Sequence, residues 1–236
     1  MIKKIIRKLL FPNSYNSDSF IKYLKRKGVS IGDKTYFYSP NRVYIDTQRP
    51  HSLHIGNYVS ITSGVTILCH DYSRSVLCNM KGLGNVGEYK NTFIGDNVFI
   101  GINSIILMGT YIGNNSIVGA GSVVSGTFPP NSVICGNPAE RICSIEEYYE
   151  KRKLREIEAA KQYVLSWKKR YSRNPTIYEM TNAFSWLYIK RDLKEIEKYK
   201  KLFALNGVDE DIYIETFMKS KPVYNSFEDF LTDCEK

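Results

Sequence analysis

A strict six-residue period over residues 94–124 constrains the fold of this chain more than any other feature. One aliphatic residue recurs at every sixth position: Ile94, Ile100, Ile106, Ile112, Val118 and Val124. Helices repeat about every 3.6 residues and strands about every 2, so neither element alone explains this period. A six-residue repeat with β-branched anchors is typical of a parallel β-helix, whose stacked coils bury one ladder of aliphatic side chains.

The first half of the chain repeats the same period in a second frame. Its anchors are Ile31, Phe37, Val43, Ile55, Ile61 and Ile67, and Arg49 is the one break. We therefore predict about two coils over residues 29–68 and slightly more than two over residues 92–134, each coil being built of three hexads.

An insertion separates the two blocks, because Ile67 and Ile94 are 27 residues apart and 27 is not a multiple of six. The inserted segment is Cys69–Asn91. A loop that leaves a regular solenoid often carries function, although an idle surface loop is the alternative. The insertion contains His70, one of three histidines in the chain.

Together these motifs resemble the hexapeptide-repeat acyltransferases, and most of all the bacterial O-acetyltransferases that modify surface polysaccharides. The resemblance covers roughly residues 29–142. The motifs that carry it are His70-Asp71, residues 94–101, residues 112–115, residues 118–124 and Gly136-Asn137-Pro138-Ala139. It implies a left-handed parallel β-helix, acetyl-CoA as the donor and a homotrimer.

The chain is therefore predicted to be mainly β, with three regions. Residues 1–28 form short helices that cap one end of the solenoid, residues 29–143 form the catalytic β-helix with its inserted loop 69–91, and residues 144–236 form an α-helical appendage. Capping boxes at Ser144/Glu147 and Thr176/Glu179 mark two helix starts. The predicted helices are residues 1–10, Ser17–Lys27 ended by Gly28, a helix from Ser144 to Asn174, a helix from Thr176 past Leu187, Leu193–Leu205, and two short helices in 208–236.

From its composition we expect the protein to be cytoplasmic. No segment of the 236 residues approaches the ~20 apolar residues needed to span a bilayer, and the basic start lacks a small-residue cleavage site. The five cysteines include no Cys-x-x-Cys pair, which fits a reducing compartment.

The net charge of +9 is concentrated near the N-terminus, where residues 1–27 hold eight Lys or Arg against Asp18 alone. A solvated face is one explanation. Contact with anionic lipid headgroups at the inner membrane face is another, and it would suit a lipid-linked acceptor. Nucleic acid is disfavoured because no recognition motif accompanies the charge.

Transfer of an acyl group from a thioester to a hydroxyl needs a base, and imidazole suits that task near neutral pH. His70 matches the family's catalytic histidine. We predict that Asp71, Ser73 and Glu88 bind the acceptor sugar, or that Glu88 orients the imidazole. Cys69 as a nucleophile is the weaker hypothesis, because a lone cysteine beside a strand is more often a small buried hydrophobe.

The resemblance also implies that coenzyme A lies along the second block, between neighbouring subunits. The matching positions are Gly101, Gly119, Ala120 and Ser125. The backbone N–H of Gly101 is the predicted oxyanion donor. The lysine that often follows the alanine coil is absent, since Gly126 follows Ser125 here. Arg141, or Lys151 and Arg152 of the appendage, would then bind the coenzyme phosphates.

Three further readings compete with this one. A zinc site would use three histidines, but the residue one 18-residue coil before His70 is Ser52, so His51 and His54 are out of register and no metal is expected. N-acetylation of an amino sugar could use the same fold and base. The chain could also be a structural protein, a non-catalytic trimeric scaffold. Such a scaffold would have no need for a His-Asp pair in the loop.

Overall fold

Short strands form three mainly parallel sheets in the computed structural model of the chain, which describes residue 6 and residues 8–235. The first sheet contains β1 (Ser30–Ile31), β4 (Leu53–Ile55), β7 (Thr92–Ile94), β10 (Tyr111–Ile112) and β13 (Thr127–Phe128). The second contains β2 (Tyr36–Phe37), β5 (Ser60–Ile61), β8 (Val98–Ile100), β11 (Ser116–Val118), β14 (Ser132–Gly136) and β15 (Ala139–Ser144). The third contains β3 (Tyr44–Ile45), β6 (Thr66–Ile67), β9 (Ile105–Ile106) and β12 (Val123–Val124). The chain visits the three sheets in turn, so each circuit is one coil of a parallel β-helix.

The predicted aliphatic ladder forms the core of this solenoid. All six anchors of the second block are 0% exposed. Ile94 pairs with Ile112 in the first sheet and Ile100 with Val118 in the second, which gives the predicted 18-residue coil. Removing these side chains from water is the main contribution to the stability of such a coil.

The first coil is longer than predicted. Ile31 pairs with Ile55, 24 residues later, and Ile45 pairs with Ile67, 22 residues later. The extra residues lie in two 3-10 turns, Pro40–Arg42 and Pro50–Ser52. Val43 as a buried anchor is therefore wrong: it is half-buried, and Ile45 takes its place in the core.

The insertion leaves the solenoid between β6 and β7, as the break in the period predicts. It holds one short helix, α2 (Arg74–Cys78), and all of residues 79–91 are exposed. The coil resumes without a change of register, because Leu53–Ile55 pairs directly with Thr92–Ile94.

The helix α1 (Ser17–Lys27) precedes the first strand and ends at Gly28, as predicted. Gly28 has a φ of 99°, a left-handed conformation that glycine adopts without strain. Phe20 packs edge-to-face on Phe37 with ring centroids 5.0 Å apart, so α1 covers this end of the core. Of the predicted helix 1–10, residues 6 and 8–10 are helical, and residues 1–5 and 7 lie outside the described residues.

The solenoid ends in a hairpin. Strand β15 runs antiparallel to β14 after a cis Asn137–Pro138 peptide bond.

The contacts between residues divide the chain into two compact units, residues 1–148 and 149–236. Along the described part of the chain, no helix is both long enough and apolar enough to cross a bilayer.

The second unit is helical. Its helices are α3 (Ile145–Tyr171, which begins in the first unit), α4 (Leu193–Lys198), α5 (Lys200–Phe203), α6 (Glu210–Lys219) and α7 (Phe227–Asp233), with a 3-10 helix at Asn182–Leu187. Both capping boxes form, and the last two helices fall in 208–236 as predicted. Two helix predictions are wrong. Thr181, with a φ of 62°, interrupts the helix expected after Thr176, and Tyr199 divides Leu193–Leu205 into two short helices.

Candidate active site

His70 lies at the start of the inserted loop, just after strand β6 of the third sheet, and its side chain is paired with a carboxylate. Its Nδ1 forms a short hydrogen bond with Oδ2 of Asp46. The His70 side chain is 12% exposed and that of Asp46 is 0% exposed. An ionised carboxylate can only accept, so Nδ1 carries the proton and Nε2 keeps its lone pair. The pair therefore presents a base at Nε2.

Asp46 is held in its ionised form by the backbone around it. The N–H groups of Gln48 and Cys69 donate to its two oxygens, each at 2.9 Å. Burial by itself raises the pKa of Asp46, but these hydrogen bonds and the hydrogen bond and charge of His70 outweigh it and leave the pKa below its usual value. Asp46 thus stays negative and stabilises a positive charge on His70.

The imidazole is also supported by an aromatic ring. Tyr72 meets the His70 ring at an angle of 75° with centroids 4.6 Å apart. The Tyr72 hydroxyl donates to the side-chain carbonyl of Gln48, and the guanidinium of Arg74 lies 5.6 Å from the Tyr72 ring centre. The orientation of His70 is therefore fixed from two sides.

A pocket of about 340 Å³ lies in the inserted loop and begins at Asp71, the residue after His70 in the chain. Its lining includes all three predicted acceptor-binding residues and is formed by Asp71, Ser73, Arg74, Leu77, Val86, Gly87, Glu88 and Met108. Hydrogen bonds from the Ser73 side chain and backbone, the latter at 2.6 Å, lower the pKa of Asp71. The pocket thus offers hydroxyl-binding groups of both signs, carried by residues of the loop that follows His70.

The orienting role considered for Glu88 is wrong. Its carboxylate pairs with the ammonium of Lys90 at 2.5 Å, and its carbonyl accepts from Arg49 at 2.8 Å. Asp46 orients His70 instead. The sequence signal for Asp46 was its place directly after the buried β-branched Ile45, but the irregular first coil hid its proximity to His70.

Cys69 is buried next to the pair, and burial and the charge of Asp46 raise the pKa of its thiol to about 11. The thiolate is the nucleophilic form, so this environment disfavours Cys69 as a nucleophile. Cys69 packs beneath the Asp46–His70 pair.

The predicted coenzyme positions lie mostly at another corner of the triangular coil. Gly101, Gly119 and Ala120 follow strands of the second sheet and precede the third, whereas His70 follows the third sheet. Ser125, directly after β12, shares the corner of His70 two coils away. Arg141 lies on β15, where its Nε donates to the Ser132 hydroxyl at 3.1 Å. Within one chain, the structure does not bring Gly101, Gly119 and Ala120 to His70.

Gly101 as the oxyanion donor is wrong, because its N–H already donates to the carbonyl of Val118 at 2.9 Å. A Cβ on Gly101 would lie 2.6 Å from the backbone nitrogen of Ala120. Stacking of successive coils therefore explains the glycine by itself.

The other two histidines have separate partners. His51 stacks on Tyr89 with centroids 5.9 Å apart, and His54 stacks on Phe93 at 4.6 Å while its Nδ1 bonds the Ser30 hydroxyl at 3.1 Å. Residues 6 and 8–235 contain no cluster of three His, Cys, Asp or Glu placed to hold a metal ion.

Comparison with known proteins identifies the family. A family model described as bacterial transferase hexapeptide (six repeats) matches residues 91–126. Protein CapG of Staphylococcus aureus is 43% identical over 150 residues, which cover 64% of this chain and 83% of CapG. The chain belongs to the hexapeptide-repeat acyltransferase family. The β-helix described above is thus the left-handed one of that family.

Two solved structures similar to this hexapeptide-repeat chain are acetyltransferases. A hexapeptide-repeat-containing acetyltransferase from Vibrio cholerae is 21% identical with a TM-score of 0.45, covering 61% of this chain and 89% of that one. A galactoside acetyltransferase in complex with coenzyme A is 24% identical with a TM-score of 0.40, covering 61% and 80%.

Proposed function

We propose that this protein is an O-acetyltransferase that moves an acetyl group from acetyl-CoA to a sugar hydroxyl, in a surface polysaccharide or its precursor. The observation that carries the proposal is the hydrogen bond between His70 and the buried carboxylate of Asp46. A pocket lined by Asp71, Ser73 and Glu88 begins at the residue after His70 in the chain. Family membership supports acyl transfer, and the polar lining of the pocket supports a hydroxyl-bearing acceptor. The setting is the cytoplasm, with the β-helix of residues 29–143 as the catalytic domain.

The geometry suits the proton transfers that such a reaction needs. Nε2 of His70 takes the proton of the acceptor hydroxyl as its oxygen bonds to the thioester carbonyl carbon. The tetrahedral intermediate then collapses, the carbon–sulfur bond breaks, and the leaving thiolate takes the proton back from Nε2. Asp46 stabilises the imidazolium between these two steps, as carboxylates do in triads.

A hydroxyl acceptor suits this site better than an amine. A hydroxyl has to lose its proton as it attacks, so a base held in one tautomer contributes directly to the rate. An amine attacks through its own lone pair and loses a proton later, so it depends less on such a base. The Asp46–His70 pair also argues against a non-catalytic scaffold, which has no use for a carboxylate-oriented histidine at a loop.

We also propose that the enzyme is a homotrimer. The base lies at one corner of the coil and Gly101, Gly119 and Ala120 lie at another. In a closed ring, a neighbouring subunit would complete the site by bringing its own Gly101, Gly119 and Ala120 corner to His70.

The test is release of thiol from acetyl-CoA with a panel of sugar acceptors. We expect His70→Ala to lower turnover by about 10²–10⁴-fold, the usual worth of a positioned base. His51→Ala, an exposed histidine outside the pocket, is the control and should keep wild-type turnover. Equal rates in the two variants would rule out His70 as the base, and a wild type that neither binds acetyl-CoA nor releases thiol would contradict the enzyme assignment.

A further inference from the structure

The helical unit contains a second pocket, which the proposed chemistry does not use. It has a volume of about 410 Å³ and is lined by residues from four segments of residues 176–228. This size is within the roughly 300–1,000 Å³ range of small-molecule sites. All of its lining residues belong to the second unit.

One lining residue has a polar group that the fold leaves unsatisfied. Tyr188 is 2% exposed, and its hydroxyl has no hydrogen-bond partner among the described residues. Its ring packs against Phe227 and Phe230, with centroids 4.9 and 5.4 Å away. Burial raises the pKa of Tyr188, so the group remains a neutral hydroxyl. A buried polar group without a partner is costly, and such groups are uncommon unless a ligand or an ordered water uses them.

Three exposed side chains of different chemistry line the same pocket. They are the ammonium of Lys190, the amide of Asn225 and the carboxylate of Glu228, and none of them bonds another described residue. Tyr199 adds an aromatic ring to the lining, with the Lys198 ammonium 4.7 Å from its centre and a second ring, Tyr178, at 5.9 Å.

This combination favours a carbohydrate. A sugar presents hydroxyls that both donate and accept, which suits a mixture of ammonium, amide, carboxylate and phenol groups. It also presents an apolar face of C–H groups that can lie on an aromatic ring. The lining holds two lysines and two glutamates, so it has no net charge to select an anion such as a phosphate.

We propose that this pocket is a second, non-catalytic saccharide-binding site, which binds sugar residues of the acceptor glycan away from the residue that is acetylated. The identity of the saccharide as the acceptor rests on the proposed function. Through this pocket the helical unit would hold a long acceptor glycan. Several sugar residues of that glycan could then enter the catalytic site one after another.

The binding test uses the full chain and immobilised oligosaccharides of hexoses, N-acetylhexosamines, 6-deoxyhexoses and uronic acids. The double variant Asn225→Ala/Glu228→Gln removes two polar groups of the pocket. The matched control is Asn206→Ala/Glu210→Gln, which removes an exposed amide and a first-turn helix glutamate of the same unit outside the pocket. We expect the pocket variant to bind the best glycan at least ~10-fold more weakly, equivalent to about 1.4 kcal/mol, with the control unchanged.

Acetyl transfer gives the second readout. The pocket variant should raise KM for a long acceptor about 10-fold while leaving kcat and transfer to a monosaccharide unchanged. If the wild type binds none of the glycans, or if the pocket variant matches the control in both binding and KM, the proposal is overturned. A wild type that binds glycans through this pocket but transfers no acetyl group would support the pocket and contradict the proposed function instead.

Discussion

At the residue scale, the side chain that decides the chemistry of His70 is Asp46. Because the carboxylate accepts from Nδ1, the lone pair is at Nε2. In Asp46→Asn the amide NH₂ can donate to Nδ1 and so stabilise the tautomer whose proton is on Nε2. We therefore expect Asp46→Asn to lose about 10²–10⁴-fold in kcat, as the loss of a base does. Added to His70→Ala it should cost almost nothing more, because the two residues act as a unit.

This prediction is checked by kcat at saturating acetyl-CoA for the two single variants and the double variant. Asp18→Asn, an exposed residue of α1, is the control. Acetyl-CoA binding should be the same in all four proteins. If Asp46→Asn kept wild-type kcat, the carboxylate would have a packing role only.

A second residue-scale prediction concerns the unsatisfied hydroxyl of Tyr188. Tyr188→Phe removes a buried group without a partner, so it should raise the free energy of unfolding by about 1 kcal/mol. Tyr213→Phe is the matched control, because the Tyr213 hydroxyl accepts from the Trp186 indole at 2.8 Å. That change should lower the free energy of unfolding by about 1–3 kcal/mol, since it leaves a donor unpaired. Urea unfolding measures both, and destabilisation by Tyr188→Phe would mean that its hydroxyl has a partner after all.

At the element scale, regular coils are predictable from sequence and irregular ones are not. In the second block each corner fits a fixed number of residues, helped by Asn97 and Asn115, whose φ values of 53° and 55° close tight turns. In the first coil two 3-10 turns add residues without changing which strands stack. A fixed six-residue frame therefore selected Val43 in place of Ile45 as the buried anchor.

The helical unit shows a related limit. The Thr176–Glu179 box forms, with the Thr176 N–H and the Glu179 carboxylate 2.8 Å apart, but the chain does not continue as an α-helix. A capping box satisfies the first N–H groups of a turn, and tertiary packing decides whether the helix propagates. The aromatic core around Phe217 and Phe230, which are both fully buried, fixes that path, and no local pattern in the sequence encodes it.

The element-scale prediction concerns the stacking of coils. A Cβ at Gly101 would lie 2.6 Å from the nitrogen of Ala120 and 2.8 Å from the carbonyl oxygen of Val118, both in the next coil. Gly101→Ala should therefore lower the free energy of unfolding by about 1–3 kcal/mol through overpacking. Gly84→Ala in the inserted loop, where a Cβ meets nothing within 4 Å, should change it by less than about 0.5 kcal/mol. Equal effects in thermal or urea unfolding would show that the coils can move apart without cost.

At the scale of the whole molecule, the proposed trimer would join two corners of the coil that one chain keeps apart. His70 and the Gly101, Gly119 and Ala120 corner are separated by the third sheet of the same chain. A closed ring of three subunits would place the His70 corner of each copy against the Gly101, Gly119 and Ala120 corner of the next. Light scattering should then give three times the chain mass of 27.2 kDa.

Mixed trimers test whether one active site draws on two subunits. His70→Ala removes the proposed base, and Ala120→Tyr fills the exposed position expected to face the coenzyme. Each variant alone should be inactive. In a trimer that contains both variants, one of the three interfaces joins an intact His70 corner to an intact Ala120 corner, so purification through two different tags should yield about a third of wild-type activity. Mixed trimers without activity would contradict a site shared between two subunits. Wild-type activity of Ala120→Tyr alone would instead favour coenzyme binding at the corner of His70 and Ser125.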